Sequence, residues 1–451
     1  MRQTRQIILA MLLSAWCTFV PVMGGEFQPV WESLDTHPTP KWFMDAKLGL
    51  MIYSPAPNQA EWDSWWESHD GQPYVEQRHI GRNKKYNFAR SAWDNGVWDA
   101  NDLAQLALDA GAKYVVFAPK AHGYFANYIS RYTDVQGSPF TKIGPDNRDF
   151  TAELSQAIRA RGLRFGFFFN VIRPDVCPFW LEMKYELIDR FQPSSIWLDG
   201  DKLSFPADDL KSRELLAYYY NHAAKPDEVA CEDALGAYKQ ATWGKRLVHG
   251  DWYRREAAHS AAAEEISDGH YVRYEEVFRG GNRAPHGRSR GRTKNLIDWL
   301  IHVTSHGGNL ELAIFPDLEY PGQKRALLQL GPWLSVNGEA IFGTRPWVDG
   351  RPHSKTTAGI DVEFTTKRNS LYAILLDWPQ RETVLPGLQA APDTTIHLLG
   401  VDEPLSWQQS SGRLQIRMPS WWENGVEKHG PEIPCDHAYS LKITPQPRWV
   451  E

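Results

Sequence analysis

Ser195-Ile196-Trp197-Leu198-Asp199-Gly200-Asp201 is the stretch that decides the fold, because an apolar run ends there on an acidic residue and a glycine. A short apolar run bounded by turn residues is typical of a strand buried on both faces, as in a parallel sheet. The carboxyl ends of barrel strands carry the chemistry of barrel enzymes, which makes Asp199 a candidate catalytic carboxylate. Taken alone, the same residue is also an ordinary turn or capping aspartate before glycine.

Apolar runs and helical stretches alternate on both sides of this stretch. The predicted strands are 48–53, 114–118, 165–169, 195–199, a weaker 246–248 and 309–315, and the predicted helices are 102–110, 151–161, 184–191 and 295–305. Gly111 and Gly162 follow two of these helices as C-terminal caps. Repeated strand–helix units predict a parallel barrel or a doubly wound sheet, and a chain of 451 residues favours a (β/α)₈-like TIM barrel in the α/β class.

The sequence pattern changes near Pro346. Beyond this residue, short alternating runs separated by turn residues indicate an antiparallel β-sandwich. The runs are 362–364, 370–376, 396–399, 414–418 and 439–443. We therefore predict a barrel domain from 26 to 346 and a C-terminal β-sandwich domain from 347 to 451.

Charge and aromatic content narrow the function classes. A net charge of -6 gives no reason to expect nucleic acid binding. The chain has 20 tryptophans, 18 tyrosines and 19 phenylalanines, which favours a carbohydrate site because the C–H faces of sugars stack on aromatic rings. Aromatic residues also fill large cores, so this signal is compatible with a purely structural role.

The first 25 residues have the pattern of a cleavable signal peptide. Arg2 and Arg5 form a basic start, residues 7–22 are apolar, and Gly24 and Gly25 supply a small-residue cleavage zone. The apolar part is too short and too interrupted for a membrane span. We therefore expect a secreted or periplasmic protein without a membrane span after cleavage.

The cysteines give little information about cofactors. Cleavage leaves Cys177, Cys231 and Cys435, which allow at most one disulfide and do not identify its pair. Their spacing does not match a metal site, so neither a metal nor a cofactor is expected. The sequence gives no indication of the oligomeric state.

Five motifs follow one another from Trp42 to the domain junction. They are Trp42-Phe43-Met44-Asp45-Ala46-Lys47-Leu48-Gly49, Ala110-Gly111-Ala112-Lys113-Tyr114-Val115-Val116, Trp197-Leu198-Asp199-Gly200, Gly307-Gly308-Asn309-Leu310 and the run from Trp333 to Trp347. Together they resemble the signature motifs of the α-L-fucosidases of glycoside hydrolase family 29. The resemblance implies a (β/α)₈-like barrel followed by a β-sandwich, in agreement with the pattern of runs.

The resemblance also implies a retaining mechanism with two carboxyl groups, roughly 5–5.5 Å apart. Asp199 matches the position of the family's nucleophile. The segment from His249 to Glu256 resembles a subfamily segment that ends on the general acid/base, which points to Glu256. Four other acidic residues remain rivals for that role: Asp251, Glu264, Glu265 and Glu275.

The sugar pocket departs from the family pattern. Tyr53 replaces a histidine that binds the fucose ring, Ala121 replaces another, and Phe169 replaces a tyrosine. The residues predicted to line the sugar ring are Tyr53, Glu61, His122, Phe169 and Trp197. Because a lost hydrogen-bonding group discriminates strongly against a substrate hydroxyl, ring recognition looks rewritten.

One basic loop adds a possible contact with the substrate. It contains Arg279, Arg283, Arg288, Arg290, Arg292 and Lys294. Such a run is either a solvated loop or a lip that faces an anionic glycan. The leading interpretation is a secreted exo-glycosidase that releases a terminal α-L-fucosyl or closely related residue. The alternatives are a pyranosidase for a different or substituted sugar and a catalytically silent carbohydrate-binding homologue.

Overall fold

The computed structural model places most of the predicted elements. It describes residues 26–53, 98–120, 127–132, 148–170, 179–199, 211–231, 252–256, 271–277, 292–314, 316, 320–347, 349–423, 426–429 and 435–450. The expected signal peptide, the weak strand 246–248 and Cys177 lie outside these residues.

Eight parallel strands form the first and largest sheet. They are β1 (Leu48–Ile52), β2 (Tyr114–Lys120), β3 (Arg164–Asn170), β4 (Ser195–Asp199), β5 (Ala230–Cys231), β6 (Trp252–Glu256), β7 (Tyr271–Val277) and β8 (Gly308–Ile314). Their order is β5-β4-β3-β2-β1-β8-β7-β6, and every described pairing is parallel. This curled sheet is the core of a TIM-barrel-like domain and confirms the predicted fold class.

Helices connect and cover these strands. They are α1 (Trp31–Leu34), α2 (Lys41–Ala46), α3 (Ala100–Asp109), α4 (Phe150–Ala160), α5 (Trp180–Phe191), α6 (Ser212–His222), α7 (Arg292–Ser305) and α8 (Tyr320–Asn337). Asp99 and Asp149 begin α3 and α4 by accepting hydrogen bonds from backbone N–H groups in the first turn. Gly111 and Gly162 follow the same helices with positive φ angles of 84° and 74°, as their predicted capping role requires.

Side chains alternate between the two faces of the large sheet. On the outer face, apolar residues of the strands join the helices in one extensive core. On the inner face, a separate group of buried residues fills the barrel, and we call it the inner cluster. It consists of Phe43, Ala46, Met51, Tyr114, Val116, Ala118, Phe168, Trp197, Ala230 and Ala313.

The C-terminal part is built from antiparallel strands. They are β9 (Arg345–Pro346), β10 (His353–Lys355), β11 (Asp361–Lys367), β12 (Ser370–Leu375), β13 (Glu382–Pro386), β14 (Leu388–Gln389), β15 (Thr395–Leu398), β16 (Trp407–Ser410), β17 (Arg413–Arg417), β18 (Ser420–Glu423), β19 (Val426–His429), β20 (Tyr439–Thr444) and β21 (Arg448–Trp449). One sheet runs β10-β11-β12-β20-β15, and another runs β13-β17-β16. Both contribute to a single core, which confirms the predicted sandwich.

The two parts of the chain are in direct contact. Trp333 of α8 donates an indole hydrogen bond to the carbonyl of Ala438, and Tyr372 of β12 donates to Glu339. The exact domain boundary stays a prediction, because β9 already pairs with β11 of the sandwich. Among the described residues, every helix is too short or too polar to cross a membrane.

Candidate active site

The amino-terminal end of the barrel is closed by α2. Phe43 and Ala46 of this helix belong to the inner cluster. Asn309 of β8 fixes the helix end, because its side chain accepts a hydrogen bond from Lys47 N at 2.9 Å and donates to Phe43 O at 2.8 Å. Burial, followed by the positive charge of Arg345, lowers the pKa of Lys47 to about 7. This packed end leaves the carboxyl end of the strands for chemistry.

Three aromatic residues form a wall toward that carboxyl end. Phe168 of β3 packs on Trp197 of β4 with ring centroids 4.1 Å apart, and Tyr53 meets Phe168 edge-on at 6.0 Å. Trp197 is only 1% exposed, whereas Tyr53 is partly exposed. Tyr53 follows β1 directly, and its backbone N–H donates to Ile314 O of β8 at 3.2 Å. Tyr53 is therefore the member of this wall that comes nearest to solvent.

Phe169 does not belong to this wall, which corrects the sequence prediction. It lies in the outer core, and the ammonium of Lys184 on α5 is 5.3 Å from its ring centroid. The reason is the two-residue period of a strand: Phe168 and Phe169 are adjacent and must face opposite sides. The inner-facing aromatic residue of β3 is Phe168, which the sequence comparison with the family did not single out.

Asp199 is the last residue of β4. It stands opposite Asn170, the last residue of β3, in the parallel register. Position 199 is two residues beyond Trp197 and therefore on the same, inner face of the strand. This places the candidate nucleophile position at the carboxyl end of the barrel, beyond the aromatic wall.

Glu256 occupies the corresponding place on β6. It is the last residue of that strand and stands in register with Glu275 of β7, which stands in register with Glu311 of β8. Glu311 alternates with Leu310 and Leu312 of the outer core, so its position faces the barrel interior. Register partners in a parallel sheet share a face, so positions 256, 275 and 311 all belong to the inner face.

The sequence analysis did not single out Glu311. Its side chain is fully buried, and it interrupts the apolar strand β8 between Leu310 and Leu312. A carboxylate flanked by leucines in a buried strand is the signal that would have identified it, because charged side chains are seldom fully buried without a specific role.

Several predicted residues lie elsewhere or outside the described part of the chain. Glu61, His122 and the rivals Asp251, Glu264 and Glu265 are not among the described residues. Most of the basic loop also lies outside them. Its last member, Lys294, lies within α7, is 6% exposed and bonds to Asp298, so it is not part of a solvent-facing loop.

Comparison with known proteins identifies the family of this chain. The family model for alpha-L-fucosidase matches residues 20–339, and the model for the alpha-L-fucosidase C-terminal domain matches residues 355–444. The chain belongs to the alpha-L-fucosidase family. As a member of this family it is a glycoside hydrolase.

Relatives align with this fucosidase-family chain over nearly its full length. The tissue alpha-L-fucosidase of Rattus norvegicus is 29% identical over 97% of this chain and 96% of its own length. The alpha-L-fucosidase of Branchiostoma floridae is 29% identical over 97% of this chain and 98% of its own. The crystal structure of Thermotoga maritima alpha-fucosidase in complex with fucose is 26% identical, with a TM-score of 0.66 over 93% of this chain and 100% of that one.

Proposed function

We propose that the protein is a retaining exo-glycosidase that releases a terminal α-L-fucosyl or closely related residue from a glycan. Asp199 is the nucleophile and Glu256 the general acid/base in this proposal. The observation that carries it is the placement of both residues as the final residues of parallel strands, at inner-face positions of one barrel. Family membership supports the same reaction class.

The two carboxyl groups would act in two successive displacements. In the first, the carboxylate of Asp199 attacks the anomeric carbon, and Glu256 gives its proton to the leaving glycosidic oxygen as that bond breaks. In the second, the Glu256 carboxylate takes a proton from water, whose oxygen attacks the anomeric carbon and releases Asp199. Positions 275 and 311 are acidic and share a register row with Glu256 on the inner face.

The aromatic wall supports recognition of a sugar ring. Phe168 and Trp197 are buried and fix the position of the more exposed Tyr53 through ring contacts. An aromatic surface packs against the C–H face of a pyranose, whereas the histidine of the family pattern binds hydroxyl groups. Tyr53 in that place favours the second candidate function, a pyranosidase whose terminal sugar is substituted or differs from plain fucose.

A comparison of a simple aryl fucoside with a panel of glycans tests both candidate functions. Purified protein is assayed on an unsubstituted aryl α-L-fucoside and on a panel of glycans with α-L-fucosyl or related termini, with reducing-end detection. We expect hydrolysis of at least one glycan and a lower kcat/KM on the simple aryl fucoside. High efficiency on the aryl fucoside would support plain fucosidase activity and refute a rewritten pocket. No hydrolysis of any member of the panel would favour the silent homologue.

Two parts of the proposal rest on the sequence alone: that the protein is exported, and that its substrate is anionic. The signal-like segment 1–25 supports a secreted or periplasmic location, and relatives include the plasma alpha-L-fucosidase of Homo sapiens. N-terminal sequencing of the exported protein should give a start close to Glu26. The arginines from 279 to 290 support contact with a sulfate or carboxylate, which a comparison of sulfated and desulfated glycans would measure.

A further inference from the structure

A group of polar side chains lies where the barrel meets the C-terminal sandwich. His302 of α7 and His306, just beyond the helix end, are four residues apart, and Glu363 comes from β11. Potential ligand atoms of these three residues all lie within 4.8 Å of one another. His302 and His306 are partly buried, whereas Glu363 is fully buried. We call them the junction cluster.

We propose that the junction cluster binds a divalent transition metal ion, with Zn²⁺ as the best match, and that this ion ties the sandwich to the barrel. Two imidazole nitrogens and one carboxylate form a donor set that zinc prefers, and two histidines four residues apart present their rings on one side of a helix. Magnesium and calcium prefer oxygen ligands alone and fit this set poorly.

The distances between the side chains are close to those of a bound site. His302 Nδ1 is 2.9 Å from Glu363 Oε1. Ligands of one tetrahedral zinc ion lie about 3.4 Å apart, given metal–ligand bonds of about 2.0–2.2 Å. The measured separation of 2.9 Å and the upper bound of 4.8 Å for the cluster lie on either side of that spacing. The ion would replace the direct contact between His302 and Glu363.

Neighbouring groups already hold two of the ligands in orientation. Ser305 Oγ donates to Glu363 Oε2 at 2.7 Å, and His306 Nδ1 lies 2.8 Å from the carbonyl oxygen of His302. Donation of Nδ1–H to that carbonyl leaves Nε2 of His306 with a lone pair for a metal. Ligating histidines are usually oriented by such a second hydrogen bond.

The position of the cluster points to a structural ion. It lies at the end of α7, immediately before β8 begins at Gly308, whereas Asp199 and Glu256 end their strands at the opposite edge of the sheet. Glu363 alternates with Val362 and Phe364 of the sandwich core and so lies on the opposite face of β11, toward the barrel. His353 of β10 stands opposite it in register and is itself 3.2 Å from Asp361. A cation between the histidines and Glu363 would balance this buried negative charge.

Zinc binding by the full chain tests the proposal independently of any hydrolytic activity. The protein is stripped with a chelator, dialysed and titrated with ZnCl₂ by calorimetry, and its unfolding midpoint is measured with and without zinc. We expect one tight site per chain and a higher midpoint with zinc, without a comparable response to Mg²⁺ or Ca²⁺. Absence of zinc uptake, or uptake without any rise in the midpoint, would overturn the proposal.

Three variants locate the site. His306→Gln and Glu363→Gln keep a hydrogen-bonding side chain but remove a preferred ligand, and each should weaken zinc binding at least tenfold. His397→Ala removes a partly exposed histidine of β15 in the same domain and should bind as the wild type does. Circular dichroism without zinc shows whether each variant is folded. Equal zinc affinity in wild type, His306→Gln and Glu363→Gln would leave the cluster as a hydrogen-bonded junction only.

Discussion

The inner and outer faces of the eight-stranded sheet contrast most clearly at two adjacent residues. Phe168 points into the barrel, with its ring 4.1 Å from that of Trp197, whereas Phe169 points out under the ammonium of Lys184. The same residue type thus supports a candidate sugar site on one face and a helix interface on the other. The difference teaches that the face of a strand, and not the residue type, decides which role a side chain has.

The polar residues follow the same division. Inner-face positions include Asp199, Glu256, Glu275 and the buried Glu311, whereas described residues on the outer face are almost entirely apolar. Polar groups inside a barrel cost folding free energy unless they are paired, and ionisable groups cluster at functional sites, which makes the inner face the candidate for chemistry. Substitutions on the inner face near the carboxyl end should therefore affect catalysis, and those on the outer face should affect stability.

Asp199→Ala should give the largest effect of any substitution. Removal of the proposed nucleophile should prevent the first displacement, and we expect kcat to fall by about 10⁴-fold or more. The unfolding midpoint should stay close to that of the wild type, because the residue stands at the very end of its strand. Asp189→Ala, an exposed aspartate on α5, is the matched control and should keep full activity. Turnover by Asp199→Ala near the wild-type rate would refute the assignment.

Glu256→Ala should have a smaller effect that depends on the leaving group. General acid catalysis contributes about 10²–10⁴-fold, so substrates with poor leaving groups should lose that factor. Activated aryl glycosides should lose far less, and azide should restore part of the rate by replacing water as the nucleophile. The measurement is kcat/KM on both substrate types with and without azide.

Two nearby glutamates test whether the acid/base role belongs to Glu256: Glu275 is the rival, and Glu276 is the control. Glu275 stands beside it on the inner face, and Glu276 takes the opposite face of β7. We expect Glu276→Ala to keep near wild-type rates. The leaving-group dependence and azide rescue in Glu275→Ala, and not in Glu256→Ala, would transfer the acid/base role to position 275.

Strands made almost entirely of apolar residues could be predicted from the sequence, whereas strands that contain several charged residues could not. Strands β1 to β4 and β8 read as nearly continuous apolar runs because both faces are buried toward their amino ends. The strands β6 (Trp252–Glu256) and β7 (Tyr271–Val277) carry arginine and glutamate at inner-face positions, which breaks the apolar run that identifies a buried strand. The two residues of β5 are too few to produce a pattern.

Helix α8 was missed for a different reason. It contains Gly331 and Pro332, two residues that normally argue against a helix interior. The structure explains the glycine, because an added Cβ would lie 1.8 Å from the carbonyl oxygen of Asp109 at the end of α3. Close packing of the two helices thus requires a residue that sequence patterns interpret as a break.

For the candidate site, the sequence predicted candidate residues but not the strand faces that they occupy. Family motifs identified Asp199 and Glu256, yet the register that puts 256, 275 and 311 in one row is a property of the sheet. The prediction for Phe169 was wrong because a motif match gives the place of a residue in the sequence and not the face it takes. Alternation along β4 assigns faces only within that strand. To assign Phe168, and not Phe169, to the same face as Trp197 also requires the register of β3 against β4.

Lys184 tests the outer face, where it is one of the few buried charged residues among those described. Its ammonium is buried against the rings of Trp180 and Phe169, without a hydrogen-bond partner among the described residues. Burial lowers its pKa to about 7, below the value of about 10.4 expected in the unfolded chain. Between these two values the unfolded chain binds a proton that the folded chain lacks, so stability should rise as the pH increases from about 7 toward 10.

Lys184→Met should remove that pH dependence. We expect the free energy of unfolding near pH 7 to increase by about 1–4 kcal/mol, because an apolar side chain of similar length replaces a buried cation. Urea unfolding at several pH values between 6 and 10 measures both effects. Lys225→Met, at an exposed lysine, should change stability by no more than about 0.5 kcal/mol. An unchanged pH dependence in Lys184→Met would show that this ammonium is not buried as described.

Gly49→Ala should show that inner-face residues have different roles at the two ends of the barrel. Gly49 stands in register with Tyr114, and an added Cβ would lie 2.2 Å from Cζ of the tyrosine ring. Overpacking of this kind costs about 1–3 kcal/mol. Because the contact lies toward the amino-terminal end of β1, kcat should stay near the wild-type value while the unfolding midpoint falls. Inner-face residues at this end would then serve packing, in contrast to those near the carboxyl end.

A double-mutant cycle with Tyr114→Leu isolates that contact. The single Tyr114→Leu substitution should destabilise by loss of packing, and the smaller side chain should leave room for the methyl group of Gly49→Ala. The double variant should therefore lose less stability than the sum of the two single variants. Additive losses would mean that the ring does not confine position 49. A fall in kcat with unchanged stability would mean that the amino-terminal half of the inner face also contributes to catalysis.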